Sequence, residues 1–106
     1  MKQPTILAFD TSTEIFAACL QGPMGTWKKT FREGLKHAEH IADTAAHLLS
    51  FLPGDRPLDQ VDAVCYARGP GSFTGLRIAA AFCKGLCADG KPALVSVPTL
   101  QAMART

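Results

Sequence analysis

The sequence lacks a hydrophobic run long enough to cross a membrane, since no segment approaches the roughly 18 apolar residues that a span needs. The apolar run before Asp10 is also too short for a signal peptide. An excess of one charge is lacking too, because eleven basic and nine acidic residues leave a net charge of only +2. We therefore expect a cytoplasmic protein with no membrane partner and no surface dedicated to nucleic acid.

Paired cysteine motifs are absent as well. The chain has four cysteines, none of them in the CxxC spacing of a metal or redox site: Cys19, Cys65, Cys83 and Cys87. Each lies in an apolar stretch, which is typical of reduced thiols in the core of a cytoplasmic protein.

The chain length and the hydrophobic pattern predict one α/β domain. With 106 residues, 47% of them hydrophobic, there is material for a single core. Strand patterns cover residues 5–10, 15–21, 26–31, 63–68 and 93–97, and helix patterns cover 38–52 and 75–88, with a further helix starting after 97. We expect the third strand to lie at a sheet edge and the last strand to be buried.

The order of these elements, βββαβαβα, predicts a mixed five-stranded sheet. The first three strands form an antiparallel meander, and the later strands are joined by right-handed parallel crossovers. This pattern is typical of a ribonuclease H-like lobe.

The stretch "RGPGSFTGLR" between the fourth strand and its helix has the composition of a phosphate-binding loop. It is not a Walker A loop, because Leu76 stands where lysine is required, and it misses the dinucleotide fingerprint because Thr74 occupies the third glycine position. We interpret it as a tight turn in which Ser72 or Thr74 caps the helix, with anion binding at Gly69 and Gly71 as the less favoured alternative.

The helix after this loop is more apolar than one side of a small sheet requires. Either its second side packs inside the domain or it meets another protein. The apolar face that we consider for a partner consists of Ala79, Ala80, Ala81 and Gly85, with Phe82, Cys83, Leu86 and Cys87 around it.

Three histidines, His37, His40 and His47, fall on one side of the preceding helix and raise the question of a metal site. His40 and His47 are separated by about 10 Å along the axis, which is too far to share one ion. We therefore predict no metal site.

Two segments, "YARGPGSFTGLRIAAAFCKGLC" and "ILAFDTSTE", resemble the TsaB (YeaZ) family. The resemblance implies a non-catalytic partner of the TsaD subunit in threonylcarbamoyl adenosine biosynthesis on tRNA, with no cofactor of its own. It also implies a fold similar to the actin, Hsp70 and sugar-kinase superfamily, which has two ribonuclease H-like lobes. The resemblance covers only the N-terminal lobe, so we expect one lobe over residues 1–106 and no second lobe in this sequence.

The resemblance also implies how the helices are used. In this family they pair with the equivalent helices of TsaD or of a second TsaB, so a homodimer is expected when the partner is absent, and tRNA is contacted only indirectly. The partner-binding residues are then Ala79, Ala80, Phe82, Cys83, Leu86 and Cys87, together with His37 and His40.

Asp10 matches an acid that helps to hold magnesium in ATP-using relatives of this fold. Ser12 replaces the glycine that those relatives place in the following turn, so we expect no complete ATP site on this chain. Asp10 is interpreted as a buried or capping carboxylate at a strand end, with a vestigial nucleotide loop of Asp10, Thr11 and Ser12 as the less favoured alternative. Two alternatives to a scaffold stay open. One is a kinase-type or acyltransferase-type enzyme that binds ATP through Asp10 and the loop from Gly69 to Thr74; the other is a self-dimerising module.

Overall fold

The computed structural model describes residues 3–10, 15–32, 37–67, 73–88 and 92–97. The elements are β1 (Ile6–Asp10), β2 (Ile15–Gly22), β3 (Gly25–Arg32), α1 (His37–Leu49), a short 3-10 helix (Pro57–Gln60), β4 (Ala63–Ala67), α2 (Phe73–Ala88) and β5 (Ala93–Val97). The predicted order is confirmed as far as β5, and the helix predicted after it lies outside the described residues. Within these ranges, no helix has the length and apolar character to cross a membrane.

The five strands form one mixed sheet in the order β3-β2-β1-β4-β5. Strands β1, β2 and β3 pair antiparallel, whereas β4 pairs parallel with both β1 and β5. Parallel neighbours require long connections, and α1 and α2 supply them. The predicted mixed sheet is therefore confirmed.

Both helices pack on the same face of the sheet. Leu7, Phe9 and Val64 from the strands join residues of α1 and α2 in one buried cluster. The helix positions in that cluster are Ile41, Ala45, Leu48, Ala79 and Cys83. Consecutive crossovers that move in the same direction across a sheet place their helices on one side, since both have the same hand.

The turn between β2 and β3 depends on two glycines. Gly25 has a φ of 141°, a conformation that side chains other than glycine rarely adopt. At Gly22 a Cβ atom would lie 2.8 Å from the Thr5 hydroxyl oxygen. Thr5 cannot easily move, because its backbone N–H donates to the Asp62 carboxylate and its carbonyl accepts from the Asp62 backbone N–H, both at 2.8 Å.

Helix α1 ends at Leu49, three residues before the predicted boundary. The apolar periodicity continues to Leu52, but the backbone N–H groups of Phe51 and Leu52 bond to carbonyls three residues earlier, at 3.1 and 3.0 Å. This tighter geometry marks the end of an α-helix, and Pro53 cannot extend it. Leu52 still packs in the core, so its apolar character reflects burial in a turn.

The prediction that β5 is a buried strand is wrong. Leu94 and Val95 are 38% and 39% exposed, because β5 lies at one edge of the sheet. Continuous apolar character does not distinguish an edge strand from a central one. The predicted edge position of β3, at the other side, is confirmed.

Candidate functional site

Asp10 is the last residue of β1 and follows Phe9, which pairs with Tyr66 of β4. The two strands run parallel, so their carboxyl ends share one edge of the sheet, which is where ligands bind in open α/β folds. The Asp10 side chain is only 2% exposed. The predicted neighbours Thr11, Ser12, Gly69, Gly71 and Ser72 lie outside the described residues.

Helix α2 begins at Phe73, so Thr74 lies in its first turn. A capping residue lies at the start of a helix, and residues 68–72 before Phe73 lie outside the described part of the chain. The structure does not describe the Thr74 side chain, so which of Ser72 and Thr74 caps the helix stays a prediction. The strand and the helix predicted on either side of this stretch are confirmed as β4 and α2.

Two of the predicted partner-binding residues are core residues. Ala79 and Cys83 are completely buried and pack in the cluster between α2 and the sheet. They cannot contact a partner without unfolding the domain, so this part of the prediction is wrong. The sequence misplaced them because α2 is apolar on nearly every side, and periodicity alone did not indicate which side meets the sheet.

Three other predicted contacts, Phe82, Leu86 and Cys87, are half-buried and also pack against the core. The Phe82 ring meets Phe9 edge to face, with a centroid distance of 5.8 Å. Ala80 is likewise half-buried. These residues flank the core, and only parts of their side chains face outward.

The outward side of α2 is formed by small residues next to two cations. We call Arg77, Ala81, Lys84, Gly85 and Ala88, all of them exposed, the outer surface of α2. A Cβ atom built on Gly85 would meet nothing within 4 Å. Arg77 and Lys84, seven positions apart, were the sequence signal for this side, since charged residues on an apolar helix mark the side that meets water.

Helix α1 begins at His37, and His40 also lies in its first turn. The side chains of both histidines are outside what the structure describes, so their predicted role in partner binding remains a prediction. His47, near the end of α1, is exposed and meets the Phe51 ring edge to face at 5.2 Å. Among the described residues no three His, Cys, Asp or Glu side chains are grouped to hold a metal ion.

All four cysteines are free thiols. Burial, and then the neighbouring thiols of Cys87 and Cys65, raise the pKa of Cys83 to about 12. Burial also raises the pKa of the other three cysteines, and at Cys19 the charge of Lys28 opposes that rise. A thiol that keeps its proton is a poor nucleophile, so these cysteines serve packing.

The comparisons with known proteins agree on one family. The family model described as "TsaD: tRNA N6-adenosine threonylcarbamoyltransferase" matches residues 34–106. The tRNA threonylcarbamoyladenosine biosynthesis protein TsaB of Haemophilus influenzae is 35% identical, over 99% of this chain and 44% of its own length. TsaB of Escherichia coli is 34% identical, over 94% of this chain and 42% of its own length.

Solved structures show the same relationship. YeaZ from Pseudomonas aeruginosa superposes with a TM-score of 0.84 at 31% identity, covering 96% of this chain and 47% of that one. A second structure, described as an uncharacterized protein with similarity to peptidase YeaZ from P. aeruginosa, gives a TM-score of 0.83. This chain spans less than half the length of each of these relatives. The family model, the TsaB relatives and the YeaZ structures together show that the chain belongs to the TsaB (YeaZ) family of proteins with a TsaD-like domain.

Proposed function

We propose that this chain acts in threonylcarbamoyladenosine biosynthesis on tRNA by docking a TsaD-type catalytic subunit through the outer surface of α2. In this role it has no catalytic site of its own and needs no cofactor. The curated relatives are named as biosynthesis proteins of this modification, which supports the pathway. The docking role rests on the chemistry of the α2 surface.

The small side chains of the outer surface are the observation that carries the proposal. Ala81, Gly85 and Ala88 recur along one side of the helix and leave its backbone accessible. Axes of packed helices lie 8–10 Å apart depending on the side chains at the contact, so small residues permit the close end of that range. Helix α1 presents Ala42 and Ala46 to solvent in the same way. A partner helix can therefore approach the exposed sides of α1 and α2 closely.

The two cations of the outer surface indicate the charge of the partner. Arg77 and Lys84 are both exposed on α2 and seven residues apart. A docking helix with acidic residues at its rim would match them, and such rim charges chiefly set association rate and orientation. When no TsaD-type subunit is present, a second copy of this chain could use the same small residues, giving a homodimer.

The test is co-elution of this chain with a TsaD-type subunit in size-exclusion chromatography, followed by calorimetric titration. Ala81→Glu places a longer side chain in the middle of the docking surface, where it keeps a partner helix from approaching closely and can pair with Arg77 and Lys84 itself. It should weaken binding about 10-fold or more, since overpacking a close contact costs about 1–3 kcal/mol. Thr30→Glu is the matched control, since Thr30 is exposed on β3, away from the helices. Equal affinity of the two variants would refute the docking surface.

Light scattering and titration with Mg-ATP distinguish the docking role from the two alternatives. A homodimer that light scattering finds unchanged after partner is added would favour the self-dimerising module. Stoichiometric binding of Mg-ATP in calorimetry, lost in Asp10→Asn, would favour the ATP-using enzyme, whose site would lie at the carboxyl ends of β1 and β4.

A further inference from the structure

A concave surface lies at the amino ends of β1 and β4, opposite the end that holds Asp10. It adjoins the turn that joins β2 and β3. It is a cleft of about 410 Å³, and its lining includes Thr5, Gly22, Met24, Trp27, Leu52 and Asp62. We call it the hairpin cleft. No residue of α2 lines it, so it is separate from the proposed docking surface.

The floor of the hairpin cleft is apolar and held in place by ring stacking. Leu20 is fully buried and Leu52 nearly so, and both contribute to the lining. The Trp27 ring, half-buried, stacks on Phe51 with a centroid distance of 4.9 Å and an interplanar angle of 7°. His47 meets the same Phe51 ring edge to face. Because these side chains are already fixed by packing, they lose little conformational entropy when a ligand binds.

Large apolar side chains remain in contact with water at this place. Met24 is 62% exposed and Phe51 is 39% exposed. Met24 lines the cleft itself, whereas Phe51 does not line it and is connected to it through its stack on Trp27. The cleft volume lies near the lower end of the range of about 300–1,000 Å³ that is typical of ligand pockets, so the cleft is large enough for one bulky side chain.

The charge of the cleft selects the ligand. Its charged lining residues are Asp59 and Asp62, and both are acidic. Asp62 accepts the Thr5 backbone N–H through one oxygen at 2.8 Å, and Asp59 pairs at 3.0 Å with Arg56, whose side chain is 79% exposed. A carboxylate can accept several hydrogen bonds, so both acids keep capacity for a cation. Phosphate groups would be repelled, which argues against nucleotides and RNA.

We propose that the hairpin cleft binds a protein segment in which a bulky apolar side chain stands next to lysine or arginine. The apolar side chain fills the space against Leu20, Leu52 and Trp27, and the cation lies between the two carboxylates. This site would allow the chain to hold a second protein while α2 is occupied.

Trp27 allows a direct test, since it is the single tryptophan of the sequence. The probes are the peptides acetyl-Lys-Phe-Leu-Lys-amide and acetyl-Glu-Phe-Leu-Glu-amide, which contain no tryptophan. The basic peptide should shift Trp27 emission saturably and bind at least about five-fold more tightly than the acidic peptide. An acidic peptide that binds equally well, or a basic peptide that leaves the emission unchanged, overturns the proposal.

Variants connect the signal to the cleft. Asp62→Asn keeps an oxygen for the Thr5 N–H but removes the charge, and should weaken the basic peptide about two- to five-fold, as expected for an exposed ion pair. Asp43→Asn, on the exposed side of α1, is the matched control and should have no effect. Met24→Ser should weaken both peptides. If Asp43→Asn and Asp62→Asn act equally, or if oligouridine shifts the emission more than the basic peptide does, the proposed ligand class is wrong.

Discussion

Two identical substitutions, two residues apart on α2, should have opposite consequences. Ala79 is completely buried between the helix and the sheet, whereas Ala81 is exposed on the outer surface. We predict that Ala79→Glu severely destabilises the domain and that Ala81→Glu leaves it folded but weakens its binding to the partner.

The expected size of the effect follows from the two environments. At Ala79 the longer side chain overpacks the core, at a cost of about 1–3 kcal/mol. Its carboxyl group has no place for hydrogen-bond partners among apolar residues, which adds about 1–3 kcal/mol even when it is protonated. The sum of about 2–6 kcal/mol is a large part of the roughly 5–15 kcal/mol that stabilises a whole domain. At Ala81 a surface substitution should change stability by no more than about 0.5 kcal/mol.

Thermal unfolding followed by far-ultraviolet circular dichroism measures this difference. For a chain near 100 residues, 1 kcal/mol corresponds to about 4–8 °C in Tm. Ala79→Glu should therefore lower Tm by more than about 8 °C or prevent folding, and Ala81→Glu should shift it by less than about 4 °C. Urea unfolding at constant m-value provides the independent check.

The reasoning would be refuted if the two variants unfolded at the same temperature. A large loss at both positions would mean that the outer surface of α2 is internal. A small loss at both would mean that α2 does not pack on the sheet through Ala79.

Four further outcomes are expected, for two glycines and one cysteine. Gly22→Ala should lower the free energy of unfolding by about 1–3 kcal/mol in urea denaturation, because its Cβ atom would lie 2.8 Å from the Thr5 hydroxyl oxygen; an unchanged midpoint would show that Thr5 can move. Gly85→Ala should instead raise it by about 0.5–1 kcal/mol, since its Cβ atom meets open space and alanine favours the helix. The pKa of the Cys83 thiol is raised from 9.0 to about 12 in the folded chain. Between these two pH values the folded chain keeps a proton on Cys83 that the unfolded chain releases. Its contribution to stability is complete below pH 9.0 and is lost as the pH rises towards about 12. The same protonation should keep native Cys83 from reacting with iodoacetamide at pH 8, and rapid native-state labelling there would contradict it.

Much of the fold could be predicted because each strand and helix has its own local pattern of apolar residues. Alternating and continuous apolar runs identified the five strands, and β5 was predicted with its observed bounds. The predicted end of α1 was wrong because apolar residues occur both in the helix and in the turn that follows it. The apolar period of α1 continues through Leu52, which is buried in the turn after the helix.

The candidate site was less predictable, for two physical reasons. Helix α2 is apolar on nearly all sides, so only its position on the sheet separates buried Ala79 and Cys83 from exposed Ala81 and Gly85. The hairpin cleft brings together Thr5, Met24 and Asp62, which are far apart in the sequence and share no motif.

The sequence alone determined the kinds of element, their order and the family, because hydrophobic period, turn residues and the motif around the loop act locally along the chain. Only the tertiary structure decided which side of α2 is free, that β5 lies at an edge, and that acidic and aromatic side chains share one cleft. Those properties depend on which segments pack together, and burial is a property of that packing rather than of any single segment.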